Sequence, residues 1–174
     1  MNGVTIRKET SRDYDQISLV NDMAFNHKQE GELILNLRKR TEFLPELSLV
    51  AEFNDKIVGH ILFFPITILS ESDKIQTLSL APMSIMPGFQ NKGLGGDLIM
   101  AGLKVADEMG FTSVVVLGHP RYYPKFGFKK ASKWKIKAPF DAPDEAMMAI
   151  ELKNGSLGFG GGTIDFPEVY YAAL

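Results

Sequence analysis

Hydrophobic residues follow two different periods in the first half of the chain. Apolar side chains recur at helical spacing after Ser11, a candidate N-cap, and again from Leu33 to a basic end at residues 38–40. From Leu47 onward, apolar residues instead form strand-like runs that are separated by turns such as residues 54–55. The pattern predicts a strand, two helices and three further strands, in this order: residues 4–8, 11–25, 33–40, 47–53, 56–69 and 76–86.

The second half of the chain predicts one long helix and a set of closing strands. Apolar residues recur every third or fourth position from Leu94 to Met109, and Gly110 is placed to end the helix. The continuous apolar run at residues 111–118 is typical of a strand that a parallel neighbour buries on both faces. Shorter alternating runs predict the closing strands: residues 133–140, 146–153 and 163–169. This succession favours one α/β domain over residues 1–174, built on a single central sheet.

Composition excludes several classes of protein. The 174 residues include no cysteine, which rules out disulfides, a thiolate metal site and a cysteine nucleophile. The net charge of −2, from 19 basic and 21 acidic residues, argues against general capture of nucleic acid. Residues 1–16 lack the apolar core of a signal peptide, and the most apolar run, residues 57–69, is too short to span a membrane. We therefore expect a cytoplasmic protein without nucleic-acid or membrane partners.

Residues 87–98, PGFQNKGLGGDL, place a cluster of glycines where the long helix is predicted to begin. The N–H groups of a first helical turn lack partners within the helix, and the helix dipole adds partial positive charge there. Glycines let a phosphate approach these amides without a Cβ in the way. A tight turn alone would explain one of the glycines but not the whole cluster, so we favour a phosphate-binding loop.

Different kinds of phosphate loop compete for this stretch. A Walker loop needs Gly-Lys-Ser/Thr, whereas Lys92 precedes Gly93 here. The dinucleotide fingerprint needs the spacing G-x-G-x-x-G in an opening βαβ unit, which this mid-chain segment after a predicted hairpin does not provide. The remaining pattern, Q/R-x-x-G-x-G/A, is matched in full by residues 90–95. We interpret the Lys92 side chain as a solvated charge of the loop.

The matched pattern resembles the cofactor loop of the GCN5-related N-acetyltransferases, the GNAT superfamily. Residues 80–99 resemble that family's central strand, loop and helix. Residues 114–128 resemble its next strand and its tyrosine-bearing tail, with Tyr123 in the pattern Tyr-x-x-x-Gly-Phe. The resemblance covers most of residues 3–170. It implies a single mixed and mostly antiparallel α/β sheet, with a parallel pair of strands that splay apart and with helices on both faces.

The resemblance implies acetyl-CoA (coenzyme A) as the cofactor, and no metal. Backbone amides of the loop would hold its pyrophosphate, and its pantetheine arm would insert between the two splayed strands. There the arm would pair with backbone groups of the central strand, close to Pro82, whose missing N–H fits an interrupted ladder. The implied cofactor-binding residues are Met83, Ile85, Gln90, Asn91, Lys92, Gly93, Leu94, Gly95 and Gly96.

The tyrosine-bearing tail supplies a candidate proton donor. The resemblance implies that the Tyr123 phenol protonates the thiolate that leaves during acetyl transfer, while a backbone N–H near Ile85 stabilises the oxyanion. Tyr122 is the rival for the role of proton donor, and we interpret it as a packing residue. The family's usual Asn-x-x-Ala helix before the tyrosine is missing, so we expect a shortened final helix.

No general base stands out in the sequence. Residues 76–86 hold no carboxylate, although the family often places a glutamate there, and Ser84 is too weak a base unaided. His119 lies just past a predicted strand and close to the tyrosines, so we name it as a catalytic residue that acts through water. A lone histidine in either position is more often a structural hydrogen-bonding group, and the mid-strand His60 ranks below His119.

These features predict an N-acetyltransferase that moves an acetyl group from acetyl-CoA to a primary amine of a small molecule or peptide. Transfer would occur by direct attack in a ternary complex, in a monomer or homodimer. Two alternatives keep the fold: a module that binds or senses acyl-CoA without catalysis, and a transferase of a longer acyl group. An unrelated alternative is a P-loop or Rossmann nucleotide enzyme.

Overall fold

The computed structural model describes residues 3–173, which contain three α-helices and nine β-strands. The helices are α1 (Tyr14–Phe25), α2 (Gln29–Leu37) and α3 (Leu94–Glu108). The strands are β1 (Val4–Lys8), β2 (Ser48–Phe53), β3 (Lys56–Leu69), β4 (Lys74–Ile85), β5 (Ser113–Leu117), β6 (Lys129–Lys130), β7 (Ile136–Lys137), β8 (Met147–Glu151) and β9 (Gly162–Asp165). No helix among residues 3–173 is long and apolar enough to cross a membrane.

The strands form one sheet in the order β1-β2-β3-β4-β5-β8-β6, while β9 pairs with both β3 and β7. Neighbouring strands are antiparallel, apart from the parallel pairs β4–β5 and β7–β9. The predicted α/β class, with a mostly antiparallel sheet and a parallel pair, is thereby confirmed.

Each face of the sheet has its own hydrophobic core, because the helices are amphipathic and turn their apolar sides inward. Helices α1 and α2 contribute Ile17, Val20 and Leu37 to one core, and α3 contributes Leu98 and Ile99 to the other. Each of these side chains is fully buried, which stabilises the fold by roughly 1.5–3 kcal/mol per residue. We refer to the two sides of the sheet as the α1/α2 face and the α3 face.

The parallel strands β4 and β5 stay paired at only two positions. Leu78 pairs with Val114 and Ser79 pairs with Val115, although β4 continues for six more residues, 80–85. On its other side β4 follows β3 closely and is interrupted by a bulge around Pro82, where the missing N–H would break the ladder in any case. Within the described chain, residues 80–85 have no strand partner on the β5 side, so the two strands splay apart as the sequence predicted.

The closing region differs from the alternation that the sequence predicted. Ala131–Trp134 form a 3-10 turn that ends at Lys135 with φ of +57°, so the strand expected at residues 133–140 is reduced to β7. The alternation arises because Ile136 and Ala131 are buried while the lysines between them stay exposed. The tyrosine-bearing tail forms a 3-10 turn, Tyr123–Phe126, in agreement with the expected shortened helix.

Candidate active site

A cavity of about 1270 Å³ opens where β4 and β5 splay apart. Its lining residues come from both faces of the sheet, so the cavity joins one face to the other. We define two halves by the residues that line them. The loop half, on the α3 face, is lined by the loop before α3 and the tyrosine-bearing turn, including Gln90, Asn91, Gly93, Gly95, Gly96, Tyr122 and Tyr123. The aromatic half, on the α1/α2 face, is lined by Phe25, Glu30, Leu33, Ser79, Ser84, Phe140, Phe166 and Tyr170.

Backbone groups form much of the loop half. Asn91 and Gly93 have positive φ angles of +59° and +85°, which turn the chain sharply into α3. None of the hydrogen bonds within residues 3–173 uses the N–H groups of residues 92–96. These amides lie at the positive end of the α3 dipole, and such a helix start is suited to bind an anion.

Each position of the cluster is occupied by glycine for a different physical reason. Gly93 needs its positive φ, and no atom lies within 4 Å of the position that a Cβ would take. A Cβ on Gly95 would lie 2.6 Å from the Tyr122 hydroxyl, and one on Gly96 would lie 3.1 Å from the Phe126 ring. The glycines therefore leave room for the tyrosine-bearing turn as well as for a ligand, which the sequence pattern alone did not indicate.

The polar side chains of the loop are used to shape it. Gln90 Nε2 donates a hydrogen bond of 3.0 Å to the carbonyl oxygen of Ile85, which ties the loop to the end of β4. Lys92 Nζ donates a hydrogen bond of 2.8 Å to the carbonyl oxygen of Gly88, in an exposed position. Because both side chains bond to protein, the loop presents its backbone to the cavity.

Tyr123 is buried in the wall of the loop half, with 8% of its surface exposed. Its ring lies against Gly118, where a Cβ would come within 2.3 Å of the ring, and packs edge-on against Phe128 at 5.6 Å between centroids. Burial, with a smaller contribution from Tyr122, raises the pKa of the Tyr123 phenol well above its ordinary value. The phenol therefore carries its proton at neutral pH.

Tyr122 and His119 also line the cavity, in different environments. The Tyr122 hydroxyl lies over Gly95, so this residue does more than pack against the sheet. Its half-burial, together with the nearby Asp97, raises the pKa of the Tyr122 phenol. His119 is exposed at the rim, and its imidazole makes no hydrogen bond within residues 3–173.

The structure brings most of the sequence-predicted site residues to one cavity. Those that line it are Met83, Ile85, Gln90, Asn91, Gly93, Gly95, Gly96, His119 and Tyr123. Two residues of the predicted loop do not line it. The Lys92 side chain points to solvent, and Leu94 is buried in the core under α3 with 1% exposure.

Aromatic rings form the walls of the other half. Phe140 stacks on Phe166 with 6.0 Å between ring centroids, and Phe166 lies 5.1 Å from the Tyr170 ring. Glu30 brings a carboxylate to this wall from the first turn of α2, where its Oε2 lies 2.9 Å from Nδ1 of the exposed His27. The aromatic half is therefore apolar with one acidic side chain among its lining residues.

Unpaired hydroxyls add polarity to the aromatic half. The buried hydroxyls of Ser84 and Tyr170 have no hydrogen-bond partner among the described residues. Ser79 is near the Tyr170 phenol without forming a hydrogen bond with it, and burial raises the pKa of this phenol. Because buried polar groups are usually paired, two unpaired hydroxyls in one cavity wall indicate a place where a polar ligand binds.

A buried polar network lies behind Ser84 on the α1/α2 face. Glu9 accepts two hydrogen bonds from the Arg38 guanidinium, at 2.9 and 2.7 Å, and one from the Ser48 hydroxyl at 2.6 Å. Ser48 also contacts His60 Nε2 at 2.9 Å, and His60 pairs in register with Ser84. Burial alone would raise the pKa of Glu9, but contacts with His60, Arg38 and Ser48 outweigh it and lower that pKa to about 2.

Comparison with known proteins identifies a family and relatives. The model of the Acetyltransferase (GNAT) family matches residues 10–128. The uncharacterized N-acetyltransferase YjhQ of Escherichia coli K12 is 38% identical over 134 residues, which cover 76% of this chain and 74% of the relative. The uncharacterized N-acetyltransferase YhbS of the same organism is 27% identical over 164 residues, which cover 94% of this chain and 96% of the relative.

Solved structures share this architecture over nearly the whole chain. The crystal structure of the GNAT family N-acetyltransferase YhbS from Escherichia coli in complex with CoA has a TM-score of 0.90 at 25% identity, covering 97% of this chain and 92% of that one. A GNAT family acetyltransferase from Brucella melitensis in complex with acetyl-CoA has a TM-score of 0.79 at 28% identity, covering 98% and 99%.

Proposed function

The chain belongs to the GNAT acetyltransferase family, and we propose that it transfers an acetyl group from acetyl-CoA to a primary amine of a small molecule or peptide. One observation carries the proposal: the unpaired stretch of β4, residues 80–85, lies in the same cavity as the unengaged amides at the start of α3. This is a strand-sized gap next to an anion site. Because the cavity reaches both faces of the sheet, both substrates can bind at once, as direct attack in a ternary complex requires.

The loop half fits the coenzyme. The amides of residues 92–96 suit a pyrophosphate, and the free side of β4 at Met83 and Ile85 offers backbone groups to the amides of a pantetheine arm. The relative YhbS is in complex with CoA and the Brucella relative with acetyl-CoA, which supports the same coenzyme here. When bound, acetyl-CoA supplies the acetyl group as a thioester, which is activated toward amines.

Groups of this chain have distinct roles in the transfer. The Tyr123 phenol holds its proton at neutral pH, so it can donate that proton to the sulfur as the carbon–sulfur bond breaks. The backbone N–H near Ile85 donates a hydrogen bond to the carbonyl oxygen as negative charge develops on it. His119, exposed at the rim, lies where the cavity meets water, so it can act through water in the removal of protons from the site.

The aromatic half fits the acceptor. Walls of Phe25, Phe140 and Phe166 favour an amine with an apolar or aromatic body. The Glu30 carboxylate attracts a cationic amine and repels an acceptor that carries its own carboxylate. We therefore infer that aromatic and alkyl amines are better acceptors than free amino acids.

Thiol release from acetyl-CoA tests the proposal across a panel of aromatic amines, alkyl amines, amino acids and peptides. We expect release with the first two classes and the lowest release with amino acids. If CoA raises the melting temperature but no amine releases thiol, the chain is an acyl-CoA-binding module and the proposed transfer is wrong.

Two further measurements separate the remaining alternatives. Comparing acetyl-CoA with longer acyl-CoA thioesters tests for a transferase of a longer acyl group, which would turn over the longer substrate faster. Comparing thermal stabilisation by CoA, ATP and NAD tests for a nucleotide enzyme. Greater stabilisation by ATP or NAD than by CoA would contradict a coenzyme A site.

A further inference from the structure

On the basis of the proposed function, we propose that Ser84 is the catalytic proton acceptor for the attacking amine, and that His60 is a positioning residue behind it that draws the proton off the Ser84 hydroxyl. Ser84 lines the aromatic half and is 2% exposed. Its Oγ has no hydrogen-bond partner within residues 3–173. A serine is too weak a base unaided, so the inference depends on what lies behind it.

The hydrogen bonds of Ser48 determine the tautomer of His60. Glu9 is ionised, since its pKa is about 2, and a carboxylate can only accept hydrogen bonds. Ser48 therefore uses its single hydrogen in the 2.6 Å bond to Glu9 Oε2. At the 2.9 Å contact with His60 Nε2, the Ser48 oxygen must accept and the ring must donate. The hydrogen of the neutral ring is thus on Nε2, and a basic lone pair is on Nδ1.

The lone pair of His60 faces the same side of the sheet as Ser84. His60 and Ser84 are directly opposite each other in the antiparallel ladder of β3 and β4. Side chains opposite each other in such a ladder share a face, with Cβ atoms about 4.5–5.5 Å apart. His60 Nδ1 and Ser84 Oγ are both buried, and both lack a hydrogen-bond partner among the described residues. The proposed relay requires these two atoms to be connected, either by rotation of the Ser84 side chain or through one bridging water.

Charges around His60 keep the ring neutral and still able to take a proton. Burial lowers the pKa of His60, Glu9 raises it and Arg38 lowers it, with a net direction below the ordinary value. Glu9 Oε2 lies 3.7 Å from Nε2, which offsets the charge of an imidazolium. The residues beside His60 on the neighbouring strands, Val50, Ser48 and Ser84, are uncharged. Helix α1 packs the apolar Ile17 and Val20 into this core, with the Tyr14 ring under Arg38.

The proton balance of the step is closed. As the amine nitrogen bonds to the thioester carbon, the nitrogen becomes positively charged and its N–H strongly acidic. That proton moves to Ser84 Oγ while the Ser84 hydrogen moves to His60 Nδ1, which becomes an imidazolium beside Glu9. The carbon–sulfur bond breaks with its electron pair on sulfur, which Tyr123 protonates. After the product leaves, the His60 proton returns through the Ser84 hydroxyl to water, and the Tyr123 phenolate takes one proton back from water, so no net proton is released.

Ser113 is a control for Ser84. It is also a buried serine on a strand of the sheet, but it does not line the cavity, and its hydroxyl is hydrogen-bonded to that of Thr77 at 2.7 Å. We expect Ser84→Ala to lower kcat by about 100-fold and Ser113→Ala to change it by no more than about twofold. Affinity for CoA, measured by calorimetry, should match that of the wild type in both variants.

Stability separates a catalytic role from a structural one. Ser84→Ala removes a buried hydroxyl that has no partner, so the variant should be as stable as the wild type or more stable while it loses turnover. In the wild type, kcat should fall at acid pH where His60 becomes protonated, and because burial lowers the pKa of His60, this acid limb should lie below the range of an ordinary imidazole. His60→Gln should remove this acid limb. Equal losses of kcat in Ser84→Ala and Ser113→Ala, or an acid limb that persists in His60→Gln, would overturn the proposal.

Nitrogen-15 NMR of the His60 imidazole in the whole chain needs no acceptor. We expect a neutral ring at pH 7 with its proton on Nε2. A proton on Nδ1 would overturn the relay even if the enzyme turns over. If the tautomer is as expected but no amine releases thiol, the proposed function fails and the role of Ser84 fails with it, whereas the assignment of the network stands.

Discussion

The two halves of the cavity are built in different ways. The loop half consists largely of backbone amides from one contiguous segment, residues 90–96. The aromatic half consists of side chains from opposite ends of the chain, such as Phe25 and Glu30 from the early helices and Tyr170 from the C-terminal region. A backbone site depends on local conformation, which the spacing of glycines encodes. A side-chain site depends on which distant elements meet. Under the proposed function, the coenzyme site is therefore encoded locally and the acceptor site by tertiary packing.

The largest effect that we expect is a loss of stability when the buried polar network behind Ser84 is disrupted. Glu9→Gln should lower the free energy of unfolding by about 3–5 kcal/mol, because the Arg38 guanidinium would stay buried without its counter-charge. Urea denaturation measures this loss. Glu46→Gln is the control, since Glu46 pairs with Lys8 on the exposed surface and should cost no more than about 1 kcal/mol. Unchanged CoA affinity in folded Glu9→Gln would show that the loop half does not depend on this network.

The acid dependence of stability follows from the same carboxylate. The pKa of Glu9 is lowered from 4.5 to about 2 in the folded chain. Its contribution is therefore present above pH 4.5 and is lost as the pH falls toward 2. In Glu9→Gln, the part of the stability that the wild type loses through protonation of Glu9 should be missing from the pH profile. The part due to Asp13, whose pKa is also about 2, should remain. Identical pH profiles of the wild type and Glu9→Gln would contradict the assignment.

Tyr123→Phe separates chemistry from binding within the loop half. We expect kcat to fall by about 100-fold with little change in CoA affinity, because the variant loses the proton donor but keeps the ring against Gly118. Steady-state kinetics and calorimetry measure the two effects. Tyr122→Phe should show the opposite pattern, with a small change in kcat and a lower affinity for CoA, because the Tyr122 hydroxyl lies over Gly95. A sensor without catalysis would have no turnover to lose.

Gly95→Ala tests whether the loop half depends on bare backbone. The added Cβ would lie 2.6 Å from the Tyr122 hydroxyl, so it would displace that side chain and narrow the approach to the amides. CoA affinity should fall by about tenfold, or about 1.4 kcal/mol, as measured by calorimetry. Gly88→Ala in the same loop has open space around its Cβ and should bind CoA like the wild type. Equal affinities of the two variants would argue against the close approach.

Glu30→Gln tests the aromatic half and should have the smallest effect. The KM for a cationic amine should rise by about fivefold, or about 1 kcal/mol, because the variant loses the attraction of a carboxylate that is 15% exposed. Glu32→Gln on the same helix is the control, since Glu32 is exposed and does not line the cavity. A change in the KM for acetyl-CoA, with no change in the KM for the amine, would contradict a role of Glu30 in acceptor binding.

Local signals predicted the fold well, and they predicted a glycine-shaped loop before α3. The long periodic stripe of α3 and the hairpin of β2 and β3 were found because their patterns extend over many residues. The loop was found because its conformation requires glycine at fixed spacing, as at Gly93 with its positive φ. By contrast, Gly118 gave no signal, because its close contact with Tyr123 exists only after the tail folds back over β5.

The aromatic half could not be predicted in the same way. His119 ranked above His60 because it follows a strand near the tyrosines, but sequence does not show that His119 is exposed while His60 is fully buried. The partners of His60 come from separate elements: Glu9 after β1, and Ser48 on β2. No spacing along the chain relates these residues to one another. Glu30 was missed for the same reason, since it reaches the cavity only through the position of α2.

The brief ladder between β4 and β5 also has a mechanical consequence. In the described chain, strands β5, β8 and β6 form a block that joins the rest of the sheet through two residue pairs. A ligand whose amides form hydrogen bonds with both β4 and β5 would hold the two strands together. Ligand binding would then be coupled to the local folding of the block formed by β5, β8 and β6. Amide hydrogen exchange in β5 and β8 should then be slower when the ligand is bound. Without the ligand, this block should be the part of the sheet that opens first.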